Sequence, residues 1–204
     1  MKIVGIVGRA YYNIDNQKIF QSNEYIRKVL VAYNDIVPIL LLPTENKFYT
    51  DIKVGDDKIN EKKLNYILDK CDAFILQGGT TFYNFDEYII KYAIKHNKPL
   101  LGICAGFQCI CSMFAKTRTK FDMTEKIITK NHVGDPNKYI HNVKIKKRTK
   151  LYDILKQEII PVNSAHNDKV DFEINELKIS SYSEDGIIES VEYPNKKFII
   201  GLQW

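Results

Sequence analysis

The sequence predicts an α/β fold with a mostly parallel central sheet, and three observations predict it. Short continuous apolar runs at 2–8, 36–42, 72–76 and 100–103 read as strands buried on both faces. Between them lie segments whose apolar residues recur at helical spacing, at 22–33, at 60–70 and from Asp86 onward, with another after Cys104. From residue 139 the pattern changes to short segments with turn signals, which read as antiparallel strands added to the same sheet by the C-terminal half. Helices alternating with parallel strands cover both faces of such a sheet, and sites gather at its carboxyl rim.

Taken in order, residues 2–8 form the first strand, and the polar stretch from Arg9 to Gln21 reads as a loop. Ser22 is placed to cap a helix carrying Tyr25, Ile26, Val29, Leu30 and Tyr33. Ile36 to Leu42 is the second strand, closed by Pro43, and a polar loop follows over 44–59 with Gly55-Asp56-Asp57. A helix over 60–70 carries Leu64, Ile67 and Leu68, and the strand at 72–76 ends in Gln77-Gly78-Gly79. Asp86 starts a helix with Tyr88, Ile89, Tyr92 and Ala93 on its inner side, and Pro99 ends that connection. After a polar, irregular stretch at 116–138 come the segments 139–146, 158–163, 177–182, 186–193 and 197–203, interrupted by a short helix from Lys150 to Lys156. Ser183-Glu184-Asp185-Gly186 reads as a hairpin turn.

A length of 204 residues suits one domain over 1–204, large enough to bury a core without disulfides or metal. Hydrophobic residues at 45% and charged residues at 27% are ordinary for a globular chain. The net charge of +5 is scattered lysine, densest at Lys144, Lys146, Lys147, Arg148 and Lys150. That cluster reads as a solvated strand end, since no aromatic platform or nucleic-acid motif accompanies it, so no nucleic-acid partner is expected. No apolar stretch is long enough to span a bilayer, and no membrane partner is expected. The N-terminal apolar run is too short for a signal peptide. The four cysteines, Cys71, Cys104, Cys109 and Cys111, form no C-x-x-C pair and show no metal-ligand spacing with histidine. Reduced thiols and a cytoplasmic location are expected, with no metal site and no cofactor. No phosphate loop or dinucleotide fingerprint is present.

The stretch that organises the chain is Gly102-Ile103-Cys104-Ala105-Gly106. A strand leads into it, and Phe107, Ile110, Cys111 and Phe114 follow at helical spacing. Strand, tight turn, helix, with a nucleophile-type side chain at the turn, is the nucleophile elbow, here G-x-C-x-G. The helix N-terminus is expected to favour the thiolate. The backbone N–H of Ala105, next after Cys104, and a backbone N–H of the Gly78-Gly79 turn are candidate donors to an oxyanion.

At this point the residues carry a resemblance. Ile75-Leu76-Gln77-Gly78-Gly79, then Leu101 to Gln108, then Val162-Asn163-Ser164-Ala165-His166, then Asp185-Gly186-Ile187-Ile188-Glu189, then Ile200-Gly201-Leu202-Gln203-Trp204, occur in the order seen in class I glutamine amidotransferase-like proteins. Within that group the chain resembles the γ-glutamyl hydrolase branch, in particular the γ-glutamyl-γ-aminobutyrate hydrolase family, through Asn163-Ser164-x-His166 and Gly5-Ile6-Val7-Gly8-Arg9. The resemblance runs from end to end and implies a flavodoxin-like three-layer α/β/α sandwich.

It also implies roles. Cys104 would attack a γ-amide carbonyl and form a γ-glutamyl thioester, with Gly79 and Ala105 as the oxyanion hole. Gly78 and Gln108 would help hold the glutamyl group, and Ser164 and His166 would line its pocket. His166 also reads as a surface turn residue beside Asn167-Asp168, while His132 reads as a solvated loop residue. In the family the base is a histidine directly after the Gln-Trp pair, followed by Pro and Glu, and the sequence stops at Trp204. The expectation is a chain cut short of that histidine. The leading function is hydrolysis of a γ-glutamyl amide to glutamate and an amine. The alternatives are the glutaminase component of an amidotransferase, passing ammonia to a synthetase, and a non-catalytic γ-glutamyl-binding homologue. A small γ-glutamyl substrate is the expected partner, and a homodimer is allowed.

Overall fold

In the computed structural model, which describes residues 1–12, 15, 18–42, 60–79, 84–116, 124–126, 132–135 and 137–204, the first apolar run forms β1 (Lys2–Val7). The expected loop at 9–21 is instead a two-stranded ribbon in which β2 (Arg9–Tyr12) pairs antiparallel with β3 (Lys18–Gln21). Asn13, Asp15 and Asn16 make the whole stretch read as polar, although Tyr11, Tyr12, Ile19 and Phe20 in the two strands are residue types that favour β-structure. Helix α1 (Glu24–Val31) is capped one residue later than expected: the Asn23 side chain, not Ser22, accepts from the Tyr25 and Ile26 N–H groups. Then come β4 (Ile36–Leu41), α2 (Glu61–Leu68) capped by Asn60, β5 (Ala73–Leu76), α3 (Asn84–His96), β6 (Leu100–Ile103) and α4 (Ala105–Met113). The expected loop at 44–59 and much of 116–138 lie outside the described residues.

The second half supplies β7 (Thr124–Lys126), β8 (His141–Ile145), α5 (Lys150–Leu155), β9 (Ile159–Val162), β10 (Asp168–Val170), β11 (Lys178–Ser183), β12 (Ile188–Glu192) and β13 (Ile199–Leu202). The main sheet has nine strands in the order β4-β1-β5-β6-β13-β12-β11-β8-β9. From β4 to β13 all neighbours run parallel, and from β13 to β9 all run antiparallel. β7 and β10 pair as a separate antiparallel ribbon. This is the expected flavodoxin-like α/β architecture, and the C-terminal half adds antiparallel strands as expected, except that β13 also runs parallel to β6 and β7 falls within 116–138, expected to be irregular.

The core follows the apolar runs. Val7, Leu41, Phe74, Leu76, Leu100, Phe107, Ile110, Val191 and Ile199 are buried in one cluster. Each large side chain removed from water there contributes roughly 1.5–3 kcal/mol. A second, smaller cluster of Val143, Ile145, Leu151 and Val162 lies under the antiparallel extension. The basic cluster is absorbed by this half: Lys147 pairs with Glu158 at 2.8 Å, the Lys150 ammonium donates to the Tyr193 carbonyl at 2.6 Å, and Lys146 lies over the Tyr182 ring.

Candidate functional site

β6 delivers the chain to Cys104 on the carboxyl rim, and the turn is as tight as the glycines require. Cys104 sits at φ 50° and ψ −106°, a conformation that costs of order 1–3 kcal/mol and persists only where the surroundings impose it. The Cys104 N–H donates to the Leu202 carbonyl at 2.8 Å, and the Cys104 carbonyl accepts the first helical bond of α4 from Gln108 at 3.0 Å. A Cβ on Gly106 would lie 2.1 Å from the Leu76 carbonyl oxygen, and one on Gly102 would lie 2.7 Å from the Gly106 oxygen. Neither position admits a side chain, so G-x-C-x-G is a packing requirement of α4 on β5 and β6.

The sulfur lies partly buried, with the backbone N–H groups of Ala105 and Gly79 directed at it. Burial pushes the Cys104 thiol above its ordinary value, against the lowering effect of those two N–H groups and of the Arg9 charge. The bias of the helix N-terminus toward the thiolate is outweighed here: loss of solvent pushes the thiol up despite the donors. Gly78 sits across the turn, where a Cβ would come within 3.3 Å of the Cys104 Cβ.

The glycine turn is held by residues with no role of their own assigned from sequence: Arg9 and Gln77, which carry the resemblance, and Asp86, read as a helix start. Arg9 donates from Nε and Nη2 to the Gln77 carbonyl at 3.1 and 2.9 Å, while its Nη1 meets both oxygens of Asp86 at 2.8 and 2.9 Å. Both side chains are buried. The Gln77 side chain donates to the Val7 and Gln21 carbonyls and accepts from the Asn23 N–H. The end of β5 is thus clamped between β1, the ribbon, α1 and α3.

Gln108, buried in the first turn of α4, donates to Oε1 of Gln203 at 3.1 Å and reaches the Asp168 carbonyl at 3.4 Å. The Ser164 hydroxyl donates to the His132 carbonyl at 2.8 Å, and the His166 N–H donates to that same carbonyl at 3.0 Å. His166 is buried, so the surface-turn reading is overturned. His132, expected as a solvated loop residue, is only 1% exposed. A bridge between Val133 and Ala165 draws the 132–134 stretch against 164–166. The histidines His132, His141 and His166 converge with Glu189, and their ligand atoms lie within 4.8 Å of one another. No metal cluster was expected, because ligands spread over 58 positions of sequence show no spacing motif. The nearest signal was the Asp185-Gly186-x-x-Glu189 element, whose acidic residues had no assigned task.

Helices in the described residues are too short or too polar to cross a membrane. A glutamine amidotransferase-like protein of Rickettsia prowazekii is 30% identical over 202 residues, covering 69% of this chain and 72% of that protein. A CTP synthase of Thermotoga maritima is 27% identical over 208 residues, covering 85% of this chain but only 39% of the synthase. Among solved structures, the glutaminase domain of Trypanosoma brucei CTPS with bound acivicin superposes with a TM-score of 0.64 at 16% identity, over 100% of this chain and 85% of that one. A glutamine amidotransferase from Thermotoga maritima superposes with a TM-score of 0.61 at 17% identity, over 99% of this chain and 74% of that one. These structural likenesses bear on the fold, while the family model for peptidase C26 matches residues 2–204, and the chain therefore belongs to the peptidase C26 family of the class I glutamine amidotransferase-like superfamily.

Proposed function

We propose that the protein hydrolyses a γ-glutamyl amide through a thioester on Cys104. The observation that carries the reading is Cys104 on its left-handed turn, with the Ala105 and Gly79 N–H groups aimed at the sulfur. A tetrahedral oxyanion formed beside that sulfur falls within reach of the same two donors, the arrangement acyl transfer requires. Sγ forms a bond to the γ-carbonyl carbon, the C–N bond breaks, and the thiol proton leaves with the amine. Water then opens the thioester, releasing glutamate and restoring the thiol. The resemblance assigns the proton relay to a histidine directly after Gln203-Trp204. Gly78 and Gln108 flank the acyl group, and Ser164 and His166 shape its pocket through the segment they hold.

One observation favours a second reading. The CTP synthase relative matches this chain over 39% of its own length, which supports a glutaminase component serving a synthetase. The full-length protein, assayed alone on glutamine and on γ-glutamyl amides of larger amines, separates the two. We expect release of the larger amines without a partner, and a loss of at least about 10⁴-fold in Cys104→Ala, in line with removal of a nucleophile from a covalent mechanism. Full activity in Cys104→Ala would refute the mechanism, and glutamine-only, partner-dependent turnover would favour the second reading.

A further inference from the structure

Three imidazoles and a carboxylate from four separate stretches meet inside the antiparallel half. His132 precedes the Val133 bridge, His141 opens β8, His166 follows β9, and Glu189 lies on β12. The outward ring nitrogen of each histidine is committed. His132 Nε2 meets both oxygens of Asp185 at 3.1 and 3.0 Å, His141 Nδ1 meets the Asn142 carbonyl at 3.2 Å, and His166 Nδ1 meets the Asp168 carbonyl at 3.1 Å. Carbonyl and carboxylate oxygens only accept, so each outward nitrogen carries the hydrogen. In the neutral rings His132 Nδ1, His141 Nε2 and His166 Nε2 then present lone pairs.

Those lone pairs point at one carboxylate. They lie 3.2, 3.8 and 3.6 Å from Glu189 Oε1, for His132, His141 and His166 in turn. By bond angle and distance together, none of the three nitrogens and neither oxygen of Glu189 makes a well-aligned hydrogen bond among the described residues. Against the lowering effect of burial, Glu189 and Asp185 raise the His132 pKa and favour a proton there, which would bond one Glu189 oxygen and leave the His141 and His166 nitrogens and the other oxygen without a donor. Glu189 is 0%, His132 1% and His166 3% exposed. A convergence of buried acceptors without donors is unfavourable unless a cation sits among them. A single proton shared by one pair leaves the remaining atoms unpartnered.

We propose that His132, His141, His166 and Glu189 form the binding site of one first-row divalent cation, with zinc the best match. Imidazole nitrogen and carboxylate oxygen are zinc donors, and a tetrahedral site with bonds of about 2.0–2.1 Å has ligand–ligand edges of about 3.4 Å. The three nitrogen-to-Glu189 separations of 3.2–3.8 Å bracket that edge, and the whole set lies within 4.8 Å, so the ring nitrogens draw together when the ion binds. Ring N–H groups donated to a carboxylate and to backbone carbonyls are the outer partners that orient metal-bound histidines. Four protein ligands close the coordination sphere, so the ion is structural and takes no part in the chemistry at Cys104. It fastens the 132–134 and 164–166 stretches to β8 and β12, next to Asp168, whose carbonyl also meets Gln108. The inference is independent of the γ-glutamyl reading.

The test uses full-length protein stripped with a chelator, titrated with zinc chloride by calorimetry and followed by thermal unfolding, with magnesium as the hard-cation control. Expected are one zinc per chain, a higher Tm with zinc and none of these effects with magnesium. Asp185→Asn, which keeps the oxygen that accepts from the Ser183 hydroxyl and removes the charge facing His132, should weaken zinc binding about 10–100-fold. His141→Gln should lose the site while keeping its far-ultraviolet circular dichroism, and cobalt should give visible bands of a tetrahedral site in the native protein alone. Failure of the stripped protein to bind zinc overturns the proposal. So does unchanged zinc affinity in both variants, which would put the ion elsewhere.

Discussion

Cys104 combines two opposed influences on one sulfur. Two backbone N–H groups and the Arg9 charge favour the thiolate, and burial, which outweighs them, favours the thiol. The folded-state pKa therefore lies above that of the unfolded chain, and stability falls as pH rises past the unfolded thiol value of about 8.5. Alkylation of Met1–Trp204 by iodoacetamide should accelerate with pH to a midpoint above that value, read by mass spectrometry at Cys104. A midpoint below about 7.5 would contradict the balance. Cys71, Cys109 and Cys111 are buried and should label far more slowly. At this scale Cys104 was legible because two glycines at fixed offsets announced it. His141 and Glu189 were not, since a lone histidine opening a strand and a glutamate in a hairpin strand show their purpose only when folding brings them together.

Helix α4 explains why the elbow cannot drift. Residues Ala105 to Ser112 are all buried, and Gly106 lets the helix backbone rest on the end of β5. Gly106→Ala places a methyl 2.1 Å from a backbone oxygen that has no rotamer to escape into. Overpacking of this kind costs about 1–3 kcal/mol, and the upper end is expected here. Denaturant unfolding should show the loss together with reduced labelling of Cys104. An effect under about 0.5 kcal/mol would show that α4 shifts freely. The helices and strands were largely legible from apolar periodicity. The β2–β3 ribbon was missed because its β-favouring residues flank a polar connection and its pairing is local, and α1 began one residue late because Asn23 outcompeted Ser22 for the cap.

Across the whole molecule, the buried ion pair of Arg9 with Asp86 joins residues 77 apart in sequence. Arg9→Met would leave Asp86 as a buried charge without this cation, at a cost of about 3–5 kcal/mol, and Arg9→Met with Asp86→Leu should recover part of it. Equilibrium unfolding measures both; a double variant no better than the single would mean that Arg9 acts mainly through the Gln77 carbonyl. No local pattern encodes such a pair, which is why the sheet was readable and its clamp was not. The strand order carries a consequence for biosynthesis. β13, residues 199–202, lies between β6 and β12 and is hydrogen-bonded to both. It is the last of the described strands to leave the ribosome and the one that joins the parallel half to the antiparallel half. Until it emerges, β6 and β12 each present an unsatisfied edge, the kind of surface that recruits wrong partners. The nascent chain must therefore wait with two half-sheets open, and Cys104, whose N–H donates to the Leu202 carbonyl, is fixed in its turn only once residues 199–202 have emerged.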